Sequence, residues 1–219
     1  MFWTLWIGLI AALLGNAPAA MASTIYRDPD TGLTFSQNVG LYKSDGRGVT
    51  FRIAVPDAVD SYAPYDVVIQ IVVPTEVGWA GFAWNGGMAK NPLLAVWRAS
   101  NNQDVILSSR WSNSHVSPTP YAGSQYTVFK TGTKSNSTHW QVTAKCTGCT
   151  SWQNTEGGNR YLQPKAQNRV AFAYSPLRPS NPNSNTSNFP VHDVHAYWNH
   201  EFALASNANF AAVVQKLQS

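Results

Sequence analysis

The sequence predicts an all-β fold, an antiparallel sandwich or barrel, on three observations. Runs of β-branched and aromatic residues recur at intervals of about ten to twenty residues, separated by Gly, Pro, Asn and Ser. That is the spacing of strands joined by turns, not of βαβ units. Only one stretch, at the C-terminal end, reads as a helix. No internal repeat, P-loop or Gly-x-Gly-x-x-Gly fingerprint interrupts the pattern, and no linker divides it, so residues 23–219 are expected to form one domain.

Met1–Asn16 is almost wholly apolar, and Ala20-Met21-Ala22 offers small residues at both cleavage-defining positions. Residues 1–22 therefore read as a secretory signal peptide, although the first residues lack the usual Lys or Arg. A membrane anchor is the other reading. The apolar core ends by Leu14, short of a bilayer span, and no later segment reaches that length. The protein is expected to be secreted and extracellular, with no membrane contact after cleavage.

Ser23–Gln37 opens strand-like, with Asp28-Pro29-Asp30-Thr31-Gly32 as a turn before Leu33-Thr34-Phe35. Val49–Val55 alternates apolar and polar residues as a half-buried strand does. Tyr65–Val73 is a nearly continuous β-branched run, which suits the middle of a sheet. Two apolar runs around residues 79–84 and 91–97 follow, then Asp104–Ser109, Gln125–Lys130, His139–Ala144 and Arg169–Tyr174. Ser175–Ser187, with three prolines and three asparagines, is too punctuated for regular structure. Phe210–Leu217 is the helix, with Asn207 or Asn209 placed to cap it.

Charged residues make up only 12% of the chain and the net charge is +4, with no basic block of the kind a nucleic-acid binder carries. Asn136-Ser137-Thr138 and Asn185-Thr186-Ser187 are sequons that permit N-glycans at Asn136 and Asn185 in a eukaryotic host. Cys146 and Cys149 are the only cysteines. In an oxidising compartment they read as a local disulfide that shapes a turn more than it stabilises the fold. A thioredoxin-like redox pair would need a surrounding βαβ pattern, and a covalently attached haem c would need a histidine where Thr150 stands.

The chemistry concentrates in two places. In Gly78-Trp79-Ala80-Gly81-Phe82-Ala83-Trp84-Asn85-Gly86-Gly87-Met88, paired glycines let the backbone turn and let something bulky approach it. Met88 at that corner reads as a gap-filling core side chain or as a thioether ligand to a soft or borderline metal such as haem iron. Of five histidines, three crowd into Phe189–His200: His192, His195 and His200. His192 and His195 have the spacing of a zinc pair, but no carboxylate or thiolate is placed by sequence to complete a tetrahedral set. Three apart at the start of a regular strand, they are expected to point to opposite faces.

Six segments carry a resemblance. They are Trp79-Ala-Gly-Phe-Ala-Trp-Asn-Gly-Gly-Met88, Asn91-Pro-Leu-Leu-Ala-Val-Trp97, Ser109-Arg-Trp111, Asn136-Ser-Thr-His-Trp140, Cys146-Thr-Gly-Cys-Thr-Ser-Trp152 and Ser187-Asn-Phe-Pro-Val-His192. Taken in order, they resemble the cytochrome domain of fungal cellobiose dehydrogenase, the haem b group called auxiliary activity family 8. The resemblance covers nearly all of the chain after the leader. It implies an immunoglobulin-like antiparallel β-sandwich, a disulfide between the two cysteines, and noncovalent haem b held by one Met and one His. By register those ligands fall on Met88 and His192, 104 positions apart. Gly86, Gly87, His195 and His115 join them in the implied cofactor-binding set. The chain departs from the family in lacking a flavin domain, in carrying His195 where members have Phe, and in carrying His115 near a family Tyr.

Axial Met/His ligation leaves iron six-coordinate, suited to shuttling one electron rather than binding oxygen. The expected function is thus that of a monomeric secreted b-type cytochrome, an electron-transfer haemoprotein rather than a substrate-converting enzyme, with no catalytic residue. The resemblance implies a separate extracellular flavin or quinone dehydrogenase as donor. A lytic polysaccharide monooxygenase is the implied acceptor, with ferric iron or quinones as alternatives. The alternatives are a haem-free carbohydrate- or ligand-binding sandwich and a fragment of a larger flavocytochrome.

Overall fold

The computed structural model describes residues 22–154 and 157–219. The leader expected over 1–22 lies outside the described residues except for Ala22. The chain runs β1 (Thr24–Arg27), β2 (Thr34–Leu41), β3 (Gly48–Pro56), β4 (Val67–Pro74), β5 (Trp79–Trp84), β6 (Leu93–Arg98) and β7 (Val105–Trp111). It continues with β8 (Thr119–Pro120), β9 (Gln125–Val128), β10 (Lys134–Ser135), β11 (His139–Thr147), β12 (Ser151–Gln153) and β13 (Asn159–Tyr161). Last come β14 (Gln167–Ser175), β15 (Val194–Glu201), a 3₁₀ turn at Phe202–Ala205, β16 (Ser206–Asn207) and α1 (Phe210–Gln218).

Two sheets face each other. One has the order β1-β2-β3-β4-β11-β10, with β9 also on β11, and the other β15-β14-β5-β6-β7-β8. All their pairings are antiparallel except the short β16, which adds to β3 in parallel. The β-branched run of β4 sits between β3 and β11, as its apolar character predicts. Between the sheets, Phe51 of β3 meets Phe82 of β5 (5.4 Å between ring centres) and Trp198 of β15 (5.7 Å). Gly40 of β2 lets the Phe172 ring press directly on its backbone, because a Cβ there would lie 2.6 Å from that ring.

Each sheet also has an outer face. Phe210 and Val214 of α1 pack with Leu33, Phe35, Ala54 and Val68 on the first. The helix start differs from expectation. Asn209 occupies the cap position without a side-chain hydrogen bond. Asn207 instead spends its carboxamide on Thr34, Val55 and Ala205, pinning β16 to β2 and β3.

His200 belongs to the core and not to the site. It is fully buried; its Nδ1 accepts the Trp198 indole N–H (3.1 Å) and its Nε2 donates to the Ser36 carbonyl (3.0 Å). A neutral ring satisfies both contacts. Burial accordingly pushes its pKa down to about 4, against a smaller upward pull from Ser36. The unfolded chain, with an ordinary imidazole value near 6.5, takes up a proton that the native chain refuses. His200 therefore contributes no pH-linked loss above about 6.5, and stability falls as pH drops from there towards 4, by roughly 3 kcal/mol in total. Urea unfolding between pH 4.5 and 7 should show this slope in the parent and a flatter one in His200→Gln. Equal slopes would show that His200 is not the titrating group.

Candidate functional site

Strand alternation puts every second residue of β5, β6, β14 and β15 on the outer face of the second sheet. Two cross-strand rungs line up there: His195, Ala173, Gly81 and Ala95, and beside them Tyr197, Ala171, Ala83 and Leu93. A solvated outer face would carry polar side chains. Glycine and alanine instead make a low floor. Over it opens a cavity of about 790 Å³, within the span of about 300–1,000 Å³ typical of cofactor and ligand sites. Segments 86–88, 115–118 and 189–192 complete its walls.

Met88 lines this cavity from the corner after β5. Asn85 and Gly86 turn the chain with positive φ angles of 69° and 73°, a region glycine enters freely and asparagine tolerates. Buried Asn91 then fastens the loop from inside: its Nδ2 donates to the carbonyls of Gly87 (3.1 Å) and Ala89 (3.0 Å), and its Oδ1 accepts from Asn85 (3.2 Å). The Lys90 N–H reaches Ser112 O (2.7 Å), and the Trp152 indole reaches Lys90 O (3.3 Å). The loop that carries Met88 is thus fastened by Asn91, Ser112 and Trp152, and Met88 lines the cavity and belongs to no core cluster.

His192 enters from the opposite end of the chain. It precedes β15 and is carried by a loop that Asp193 ties to β14, through its N–H to Tyr174 O (2.8 Å) and its carboxylate to the Ser175 hydroxyl (2.9 Å). The expectation that His192 and His195 point apart is wrong. Both line the cavity and their rings lie 4.7 Å apart. The alternation rule applies only within a strand, and β15 begins at Val194, after His192. Burial, and then the neighbouring His195, push His192 below the ordinary imidazole value, which favours the neutral, lone-pair-bearing ring at neutral pH.

The remaining histidines and the corner glycines divide. His115, Gly86 and Gly87 line the same cavity, whereas His139 contacts Thr138 near the Asn136 turn. Cys146 and Cys149 form a disulfide. The Tyr126 hydroxyl lies 3.2 Å from Cys149 Sγ and accepts the Trp84 indole N–H at 3.1 Å, so the loop is moored to β5. Two wall residues escape sequence reasoning. Arg169 packs over Gly86, where a Cβ would meet its side chain at 2.5 Å, and stacks on Tyr197 (4.5 Å) without an ion pair among the described residues. The Trp79 indole N–H is buried and unpartnered in the same wall. The signal was present in the alternation of Val170, Phe172 and Tyr174 with Ala171 and Ala173, small where a solvated face would be polar.

These residues fit haem b. A soft thioether and a neutral imidazole share one cavity with an apolar floor. An unpaired guanidinium and an orphan indole N–H in its walls suit the carboxylates that haem b carries. Zinc has no such fit: among the described residues no group of three or more His, Cys, Asp and Glu side chains could hold a metal ion.

Residues 26–212 match the family described as the cytochrome domain of cellobiose dehydrogenase. The fold is also similar to the cytochrome b domain of pyranose dehydrogenase from Coprinopsis cinerea, at 24% identity and a TM-score of 0.75, covering 90% of this chain and 97% of that one. It is similar to the cytochrome domain of Myriococcum thermophilum cellobiose dehydrogenase, at 21% identity and a TM-score of 0.77, covering 90% and 96%. No helix among the described residues is long and apolar enough to cross a membrane.

Proposed function

Because the chain belongs to the family of cellobiose dehydrogenase cytochrome domains, electron-transfer modules with b-type haem that work with a dehydrogenase domain, we propose that Met88 and His192 are its axial haem ligands. The observation that carries this is that the fold brings these two side chains, distant in sequence, to the walls of one cavity. Bound haem iron would supply a one-electron ferric/ferrous couple. Met88 as a ligand would favour the ferrous state, and neutral His192 would hold both states. The Gly81, Ala83, Ala171 and Ala173 floor would exclude water from the bound group, and Arg169 and Trp79 would hold its carboxylates. The purified protein should show a low-spin six-coordinate spectrum that sharpens on reduction, and acidified organic solvent should extract the pigment. A colourless protein from haem-supplemented expression would overturn this reading in favour of a haem-free binding module.

We infer further that the donor is an extracellular flavin or quinone dehydrogenase, and that the acceptor is a lytic polysaccharide monooxygenase, ferric iron or a quinone in lignocellulose breakdown. The leader over 1–22 and the sequons support secretion, since Asn136 and Asn185 are exposed. Val116, Val191 and Tyr197 form an exposed apolar rim around the cavity mouth, the kind of small patch that transient redox partners use. With a net charge of +4, docking should favour an acidic partner, and the transfer rate should fall as salt rises. A rate indifferent to ionic strength would rule out electrostatic steering.

A further inference from the structure

We propose that Arg110 is a positioning residue that sets the cofactor's reduction potential, acting as a buried cation without a counter-ion at the end of the cavity floor; the proposal rests on the haem reading above. Register places it. Arg110 of β7 pairs with Leu93, and Ser108 pairs with Ala95, so these two residues extend the floor's two rungs by one strand. There the loop before His192 covers them, and Arg110 is only 2% exposed.

Every partner of the guanidinium is neutral. Nε donates to Ser108 Oγ (2.6 Å), Nη1 to Pro118 O (3.2 Å), and Nη2 to Asn185 O (3.1 Å) and Ser187 O (2.6 Å). The Ser108 hydroxyl in turn donates to Asn185 O. The guanidinium also lies 5.2 Å from the centre of the Phe189 ring, which packs at a tilt against Trp79 (4.7 Å between ring centres) and lines the cavity with Pro118. Arg110 takes part in no ion pair among the described residues. An unpaired charge in such a place is costly to bury. A neutral side chain of similar size could fill the space without that cost.

Two consequences follow. Three of the four hydrogen bonds staple β7 to the 115–118 wall and to the loop that leads to His192, and the fourth, to Ser108, stays within the strand. The charge itself is unscreened by solvent, unlike that of exposed Arg169. A fixed cation in a medium of low effective dielectric acts against the extra positive charge of ferric iron and favours the ferrous state. Arg110 therefore raises the potential by charge and holds the ligand loop by geometry.

Substitution separates the two effects, with the midpoint potential read by spectroelectrochemical titration. Arg110→Gln removes the charge, and Ser108→Asp neutralises it while keeping the guanidinium, at the loss of the hydroxyl's hydrogen bond to Asn185 O, a loss that Ser108→Ala shares and so controls for. Each should lower the ferrous-to-ferric ratio about tenfold at fixed applied potential, about 59 mV for one electron. Arg110→Lys and Ser108→Ala, which keep the charge, should stay near the parent. Should Arg110→Gln fail to fold, Ser108→Asp carries the test. An unchanged potential in Ser108→Asp, or equal shifts in Arg110→Lys and Arg110→Gln, would overturn the proposal. The low-spin spectrum is a separate readout: a parent protein without it ends the haem reading, whereas loaded variants with an unmoved potential end only the role given to Arg110.

Discussion

His192→Ala is expected to abolish the low-spin spectrum of the haem-loaded protein, and His195→Phe to preserve it. Both imidazoles reach the cavity and lie 4.7 Å apart, so exposure to the site does not choose between them. The family register places the proposed ligand on His192, and the attachments of the two differ. His192 sits on a loop fastened by Asp193 to Tyr174 and Ser175, free of strand alternation. His195 belongs to the β14–β15 ladder, paired with Ala173 on the edge strand of the sheet. Removing an axial ligand leaves five-coordinate iron, which converts a six-coordinate low-spin spectrum to a high-spin one. Met88→Ala should do the same from the other wall. Absorption and electron paramagnetic resonance spectra of the three variants decide the matter. Loss of the low-spin signal in His195→Phe with its retention in His192→Ala would reverse the assignment.

Ala171→Phe should weaken haem binding at least a hundredfold, about 2.8 kcal/mol, while leaving the apoprotein folded. Ala171 lies mid-floor between Tyr197 and Ala83, and its side chain points into the cavity and away from the inter-sheet core. A phenyl ring there occupies space that the cofactor needs and touches none of the packing of Phe51, Phe82 and Trp198. Overpacking a filled core costs about 1–3 kcal/mol, so the selective loss of haem with an almost unmoved apoprotein melting midpoint distinguishes floor from core. Titration of the apoprotein with haemin, beside thermal melts, reads both quantities. Undiminished affinity would move the site away from this face.

Much of this molecule could be read in its residues. The run in Tyr65–Val73 announced a central strand, Asp28–Gly32 a turn, and Phe210–Leu217 the helix, because each depends on local conformational preference and on the period of apolar residues. The chemical kinds at the site were equally visible. A methionine after two glycines and a histidine-rich segment supplied the proposed ligand types, and six segments in order supplied the family. The short strands β8, β10, β12, β13 and β16 were not legible, since elements of two or three residues carry no period of their own.

What the sequence by itself determined is therefore the all-β class, most strand positions, and the presence of a thioether and imidazoles as candidate donors. Only the tertiary structure decided how these meet. Register across β15, β14, β5 and β6 assembled the small residues into one floor, a property of pairings between residues up to about a hundred positions apart. It placed His200 in the core and His195 beside His192, although all three share one short segment. It also buried Arg110 beneath the loop before His192. Local sequence fixes alternation within a strand, but which face meets the core, and what covers the other, is settled by the long-range packing of the two sheets.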